Sequence, residues 1–468
     1  MMFSNYVLAI ALVANVGFAE QANLAVVVIG AGLAGLTTAY RLMQKGRDVH
    51  LYEAKARVGG RVLTAKIGDH IAELGAQNLA DGGKAENIRR LIDEMRCELE
   101  ETDVRFIHDY YDGKTFSSGS ALHKNRFDLK TIQSKVADAV QKSHNMREVL
   151  NELLEEKDSL YKSLAVRLAA YEGAPVEKLS SFYAETLYHM LLGGLSSAHQ
   201  STGGEEKYIH LASVKGGNAV LLEKLAQALE GRLHLNRPLA AVSRGSGSSY
   251  ELVFQNGQKV KADILVLAMP CSAYEDIEFE RDLIPEERLQ AIRNVQYGTN
   301  AKVLVPLSQP ALERRTLIND RAVAFLDIGC NVLTLYYIGE TGRFSEKTIA
   351  KTYNQEKRML EMGFRDLCPS SLPEMAQDKQ WVCYEGPIAY SWPNDPNIKG
   401  SYSYVAPGQE ALLTAVRDEQ GEMVKELFAP IDSTLYFAGE HASILMDVSG
   451  TMEAACESGE RVARMITR

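Results

Sequence analysis

Apolar residues along this chain fall into short runs whose spacing sorts it into elements. Val26-Val27-Val28-Ile29 is a β-branched run that predicts a buried parallel strand. Glycines follow at 30, 32 and 35, and a helix is expected from Leu33 to about Gln44, with Gly46 ending it. Val49-His50-Leu51-Tyr52 predicts the next strand, with Glu53 at its end. From Ala85 to about Glu172 the pattern turns helical. There Val149, Leu150, Leu153, Leu154, Leu160, Leu164 and Leu168 recur at the spacing of a buried helix face. Residues 173–207 carry more helix, interrupted at Gly193-Gly194 and Gly203-Gly204.

The second half alternates more. A helix is expected from Ala219 to Leu229, then strands at 239–242, 250–254 and 259–261, the last two joined by the hairpin signal Asn256-Gly257. Ala262 to Pro270 reads as a buried strand ended by proline, and 300–395 mixes strands and helices. Leu435-Tyr436-Phe437 is a strand running into a turn, and a last helix begins near Gly450 and continues to about Ile466.

The opening unit carries chemistry. Gly30 allows a tight turn, Gly32 lets the backbone approach a pyrophosphate, and Gly35 lets helix and strand pack closely. The helix directs its free N–H groups and positive dipole end at phosphate. Glu53, eighteen positions after Gly35, can accept from the ribose hydroxyls of a dinucleotide.

Composition narrows the rest. A chain of 468 residues is too long for one compact core, so two domains are expected. The net charge of −10, with no long basic run, argues against nucleic acid and is compatible with a cationic substrate. Six scattered cysteines without a CxxC, and ten histidines without ligand spacing, suggest neither a metal site nor a disulfide framework. Tyr6 to Val16 is almost wholly apolar and Gly17-Phe18-Ala19 has a small-x-small pattern, so 1–19 reads as a signal peptide. Cleavage would make the protein secreted or periplasmic, and otherwise cytoplasmic. The run is too short for an integral membrane span.

Three segments carry a resemblance. Glu53 to Thr64, with Arg57-Val58-Gly59-Gly60-Arg61 inside it, resembles a signature of the flavin-containing amine oxidase superfamily. Trp392 to Pro396 with Gly400-Ser401-Tyr402-Ser403 resembles a second of its segments, and Phe437 to Ser443 with Ser449 to Ala454 and Ser458 to Ala463 resembles its C-terminal block. The resemblance runs from about Asn23 to Arg468 and is weakest in 85–207. It implies an α/β fold: a FAD-binding Rossmann-type domain with a β-meander (22–82, 208–293 and 398–468). This would be interleaved with a mixed α+β substrate-binding domain (83–207 and 294–397).

The resemblance also implies roles. FAD would be contacted by Gly30, Gly32, Ala34, Gly35, Glu53, Ala54, Gly60, Arg61, Gly75, Ala76, Gln77, Val242, Gly439, Glu440 and Met452. Arg61 would bring charge to the pyrophosphate. Gly439 and Glu440 would lie along the ribityl and phosphate chain. The Met452 N–H, at a helix N-terminus, would stabilise charge at the flavin pyrimidine edge. Lys302 resembles the lysine held through a water near flavin N5. Tyr402 would form one wall of an aromatic cage, whose other wall falls on Thr451, so the cage is half present. This departs from monoamine oxidases and leans toward branches with threonine there, among them histone-demethylase-like and some polyamine-type enzymes. Ser401 stands where monoamine oxidases carry the cysteine that binds flavin covalently, so noncovalent FAD is expected. L-amino-acid oxidases carry a carboxylate-binding arginine just after the 73–79 stretch. None stands between Gln77 and Asp81, so that role would need Arg89 or another distant arginine.

The implied activity is oxidation of an amine C–N bond by hydride transfer to flavin N5, with release of an imine and, after reaction with O2, hydrogen peroxide. A desaturase or protoporphyrinogen-oxidase type, an L-amino-acid oxidase, and a non-catalytic flavin-fold protein binding a partner through 85–200 are the alternatives. Lys302 and the 400–402 segment favour amine oxidation. Oligomeric state, a homodimer among the options, stays open.

Overall fold

The computed structural model describes residues 24–68, 70–79, 85–105, 108–198, 208–307, 311, 315–326, 330–345, 348–364 and 388–468. The expected signal segment lies outside them. Among the described residues no helix is long and apolar enough to cross a membrane.

A five-stranded sheet organises the nucleotide-binding half, in the order 435–437, 264–267, 26–29, 49–52 and 233–234. Every pairing is parallel. Such a sheet must be covered on both faces, and successive residues of one strand serve different cores. Val26 and Val28 join helices Leu33–Gln44, Ala219–Ala228 and Met452–Ile466 on one side. Val27 and Ile29 face the meander of Leu239–Arg244, Tyr250–Phe254 and Lys259–Ala262 on the other. The expected boundaries of the first strand and first helix match those observed.

The second half centres on a seven-stranded sheet, in the order 388–391, 301–306, 332–337, 322–326, 315–318, 109–111 and 116–117. Helix Ser159–Glu172 packs on it through Val166 and Ala169, which meet Tyr110 and Ile318, whereas helices Ile132–Val140, Met146–Leu153 and Ala184–Ala198 bury their apolar residues in the core they share with the meander. Val149, Leu150, Leu160, Leu164 and Leu168 are buried as expected while Leu153 and Leu154 are half-buried, and the stripe belongs to two helices broken at Leu154–Asp158.

Two readings of 85–172 are corrected. Leu99–Arg105 is a strand paired antiparallel with Tyr208–Val214, and Asp109–Tyr111 is a strand parallel to Arg315–Ile318. Long-range pairing overrides the local pattern there. Helix Glu86–Glu94 also sends Ile88, Leu91 and Ile92 into the same core as Val26 and Met465. Its N-terminus is held by Glu453, whose carboxylate accepts from the Ile88 N–H at 2.8 Å and from Asn87 Nδ2 at 2.6 Å. Residues 85–99 therefore share the core of the nucleotide-binding half.

Candidate functional site

The glycine loop forms a cradle. Gly30 has φ +104°, and a Cβ there would lie 2.7 Å from Ala268 O. A Cβ at Gly35 would lie 1.9 Å from Gly30 O, so helix and strand approach as closely as backbones allow. Gly32 differs: a Cβ there meets nothing within 4 Å. Its surface opens into a cavity. The second glycine pair backs this loop, because Gly59 N–H donates to Ala31 O at 2.8 Å and a Cβ on Gly60 would come 3.3 Å from Gly32 Cα. Glu53 accepts from the Ala31 N–H at 2.7 Å and the Lys55 N–H at 2.9 Å, which fixes the end of its strand against the loop.

One cavity of about 1530 Å³ begins at this cradle. It exceeds the roughly 300–1,000 Å³ that a drug-sized ligand needs, so a dinucleotide and a small substrate fit together. Gly30, Gly32, Ala34, Glu53, Ala54, Gly60 and Arg61 line one end, and Lys302, Tyr336, Tyr402, Thr451 and Met452 line it further on. Gly35 acts behind the wall, as its packing demands. Val242 does not reach the cavity: it is 1 % exposed and packs in the meander core. Arg237, Pro238 and Leu239 line the cavity instead. That strand carries a register irregularity between Leu239 and Ala241.

Arg61 bridges the segments. Its Nη1 donates to Glu440 Oε1 at 2.7 Å and to Ser401 O at 2.9 Å. Burial works against charge on Glu440, yet the Arg61 guanidinium and the Ser403 hydroxyl hold its carboxyl below the usual value. His441 is pushed down to about 4 by burial, so its imidazole is neutral at physiological pH. His441 Nε2 and Ser401 Oγ are buried without a hydrogen-bond partner, and both residues line the cavity. Unpartnered polar atoms around an open cradle suit a polar ligand such as a flavin nucleotide.

Strand 301–306, between strands 332–337 and 388–391, carries Lys302 to the far end. Lys302 stands opposite Tyr336 on one side and Tyr390 on the other. Its Nζ donates to Glu73 O (3.0 Å), Gly75 O (2.8 Å) and Gln77 Oε1 (2.9 Å). All three ammonium protons thus go to the stretch that resembles the segment passing over the flavin. Burial pushes Lys302 down to about 8, opposed by the Glu73 carboxylate. Asn218 and Trp392 brace the same stretch: Asn218 Nδ2 donates to Gln77 O at 2.8 Å and Trp392 Nε1 to Leu74 O at 3.0 Å.

Tyr402 is gripped by backbone. Cβ atoms on Gly173 and Gly450 would lie 2.8 and 3.0 Å from its ring. Its hydroxyl donates to Ala170 O at 2.6 Å and accepts from Asn300 Nδ2 at 3.0 Å. Tyr336 Oη lies 3.3 Å from Tyr402 Oη, an aromatic neighbour that sequence spacing did not reveal. Thr451 is exposed. Its hydroxyl donates to Val448 O at 2.5 Å and accepts from the Ala454 N–H, so it caps helix 452–466. Met452 follows that cap and lines the cavity with the start of the helix. Arg89, offered as a carboxylate ligand, instead pairs with Glu101 at 2.8 Å.

Comparison with known proteins agrees with this architecture. An L-amino-acid oxidase from Gloydius halys is 24 % identical over 476 residues, spanning 95 % of this chain and 89 % of that protein. An engineered double mutant of putrescine oxidase superposes with a TM-score of 0.71 at 18 % identity, covering 95 % of this chain and 100 % of that one. Cyclohexylamine oxidase from Brevibacterium oxydans IH-35A gives 0.68 at 20 %, covering 95 % and 98 %. These structural likenesses speak to the fold. The model of the flavin containing amine oxidoreductase family matches residues 33–467, nearly the whole described chain, and this protein belongs to that family.

Proposed function

We propose that this chain is a FAD-dependent amine oxidase that holds its flavin noncovalently. The observation that carries the reading is the single cavity joining the Gly30–Gly35 cradle to Lys302, Tyr336, Tyr402 and the start of helix 452–466. Bound there, FAD would supply the acceptor for hydride from the carbon next to the amine nitrogen and, on reaction with O2, the source of hydrogen peroxide.

The chain's own residues supply position and field. N–H groups at the start of helix 33–44 and the Arg61 guanidinium suit the pyrophosphate. The N-terminus of helix 452–466, at Met452, favours negative charge at its end of the cavity. Lys302 holds the 73–77 stretch in place, and a water near N5 becomes its ligand only when one of its three protein acceptors yields. Tyr402 and Tyr336 form an aromatic wall that orients a neutral amine, and burial keeps bulk water from the reacting carbon. The imine that leaves is hydrolysed to an aldehyde or ketone. A serine hydroxyl at 401 cannot form the thioether that a cysteine would. We also read 1–19 as a cleaved export signal, which sequencing the N-terminus of the natively produced protein tests.

The decisive experiment is anaerobic reduction of the purified yellow protein by primary amines, polyamines and amino acids, followed by peroxide release in air. Bleaching by none of them would overturn the oxidase reading. Flavin that stays with the pellet after acid precipitation would overturn noncovalent binding.

A further inference from the structure

Arg167 has no role in the cradle, yet it lines the same cavity. It belongs to helix 159–172, within the stretch whose leucines marked it as a buried face, and is only 8 % exposed. Among the described residues its guanidinium makes no ion pair and no hydrogen bond. Burial alone acts on it, pushing it down to about 10, and no carboxylate offsets that loss. The candidates for a counter-charge are otherwise engaged or neutral. Glu172, on the same helix, accepts from Thr186 Oγ1 at 2.5 Å. His123, which faces Arg167 from helix 119–123, is held at about 3 by burial and by Arg167 itself, and so is uncharged. A buried guanidinium without an anion is costly, and an anion from outside relieves the cost.

Its place relative to the proposed chemistry is defined by the helix. Arg167 and Ala170 are three residues apart on one face, about 4.5 Å along the axis. The Ala170 carbonyl accepts from the Tyr402 hydroxyl. An anion at Arg167 therefore sits within a small molecule's length of an amine at the Tyr402–Tyr336 wall. A planar fork of donors matches a carboxylate best.

We propose that Arg167 recognises a carboxylate, and that the substrate is an amine that also carries one. This rests on the amine-oxidase reading for the substrate, but not for the anion site itself.

The test uses the flavin-loaded protein and two probes of one shape, benzoate and uncharged benzamide, titrated by calorimetry. Wild type should bind benzoate at least about tenfold more tightly than benzamide. Arg167→Gln should weaken benzoate roughly tenfold to hundredfold and leave benzamide unchanged. The thermal midpoint of Arg167→Met without ligand should equal or exceed that of wild type, because the variant removes an uncompensated buried charge. A guanidinium serving only to hold the fold would instead lower it. In turnover, phenylalanine should be preferred to 2-phenylethylamine by wild type, and the preference should collapse in Arg167→Gln. Equal affinity of wild type for the two probes, or benzoate affinity unchanged in Arg167→Gln, would overturn the proposal. Benzoate binding that depends on Arg167 in a protein whose flavin no primary amine, polyamine or amino acid bleaches would sustain the anion site and overturn the oxidase reading alone.

Discussion

Gly32 and Gly35 stand three residues apart in one loop, and alanine should expose two different failures. At 35 the new Cβ would lie 1.9 Å from Gly30 O and 3.2 Å from Ala268 Cβ. The obstacle is a backbone carbonyl, so helix 33–44 must retreat from its strand by more than about 1 Å. Overpacking of this kind costs about 1–3 kcal/mol, and a rigid obstacle puts the variant near the upper end. At 32 the Cβ meets nothing, and φ of −73° suits any L-residue. Gly32→Ala therefore loses only the N-cap preference, about 0.5–1 kcal/mol. Its methyl, however, enters the cavity where the pyrophosphate would approach. Displacing the phosphate from one helix N–H forfeits a charge-assisted hydrogen bond of about 1.5–3 kcal/mol, or roughly tenfold to hundredfold in affinity. Fluorescence titration of apoprotein with FAD gives the affinity, and the urea midpoint of apoprotein gives stability. Gly32→Ala should keep most of its stability and lose FAD, whereas Gly35→Ala should lose both. A Gly32→Ala apoprotein that binds FAD within about threefold of wild type would refute the reasoning, as would a Gly35→Ala apoprotein of undiminished stability.

Three other outcomes are expected. Lys302→Met strands three buried neutral acceptors, and an acceptor left unsatisfied costs about 1–3 kcal/mol; an unchanged urea midpoint would show that the 73–77 stretch does not depend on this ammonium. Thr451→Ala should lower stability by about 1 kcal/mol through the lost cap, while Thr451→Ser restores it; a fall in kcat that serine also suffers, at unchanged stability, would instead assign Thr451 to the chemistry. Glu172 is raised to about 7 by burial, so its contribution to stability is full below the unfolded value of 4.5 and is lost as pH rises through 7. Glu172→Gln should thus gain on wild type between pH 5 and 8 in urea titrations, and a difference independent of pH would contradict that burial.

The parts legible in the sequence are those fixed by neighbours along the chain. Strand 26–29, helix 33–44 and strand 250–254 follow from local periodicity and glycine chemistry, and their limits agree with the structure. Strands 99–105 and 109–111 were read as helix because their partners lie at 208–214 and 315–318, which no local pattern announces. The composition of strand 239–244 does not tell that Leu239 lines the cavity and Val242 does not. Arg167 stayed hidden within a leucine-rich stretch, since a period of 3.6 marks burial but not which polar side chain is buried with it. Tyr336 and Tyr402 lie 66 residues apart in the chain and meet only in the folded structure, through their hydroxyls.

The nucleotide-binding sheet takes its outermost strand from 435–437, and its first helix is closed by its last. Thr38 Oγ1 donates to Gly459 O, 421 residues away, and Arg41 to Glu460, 419 residues away. Such separations carry a large loop-closure cost before any contact rewards it, which slows folding. During synthesis the glycine cradle emerges early but stays without its covering helix until translation reaches the 450s. The apolar residues of helix 33–44 and strand 26–29 must then be sheltered in the nascent chain, which makes this half a client for chaperones. FAD arriving in that interval would find a half-built cradle, so flavin loading should follow chain release rather than accompany elongation.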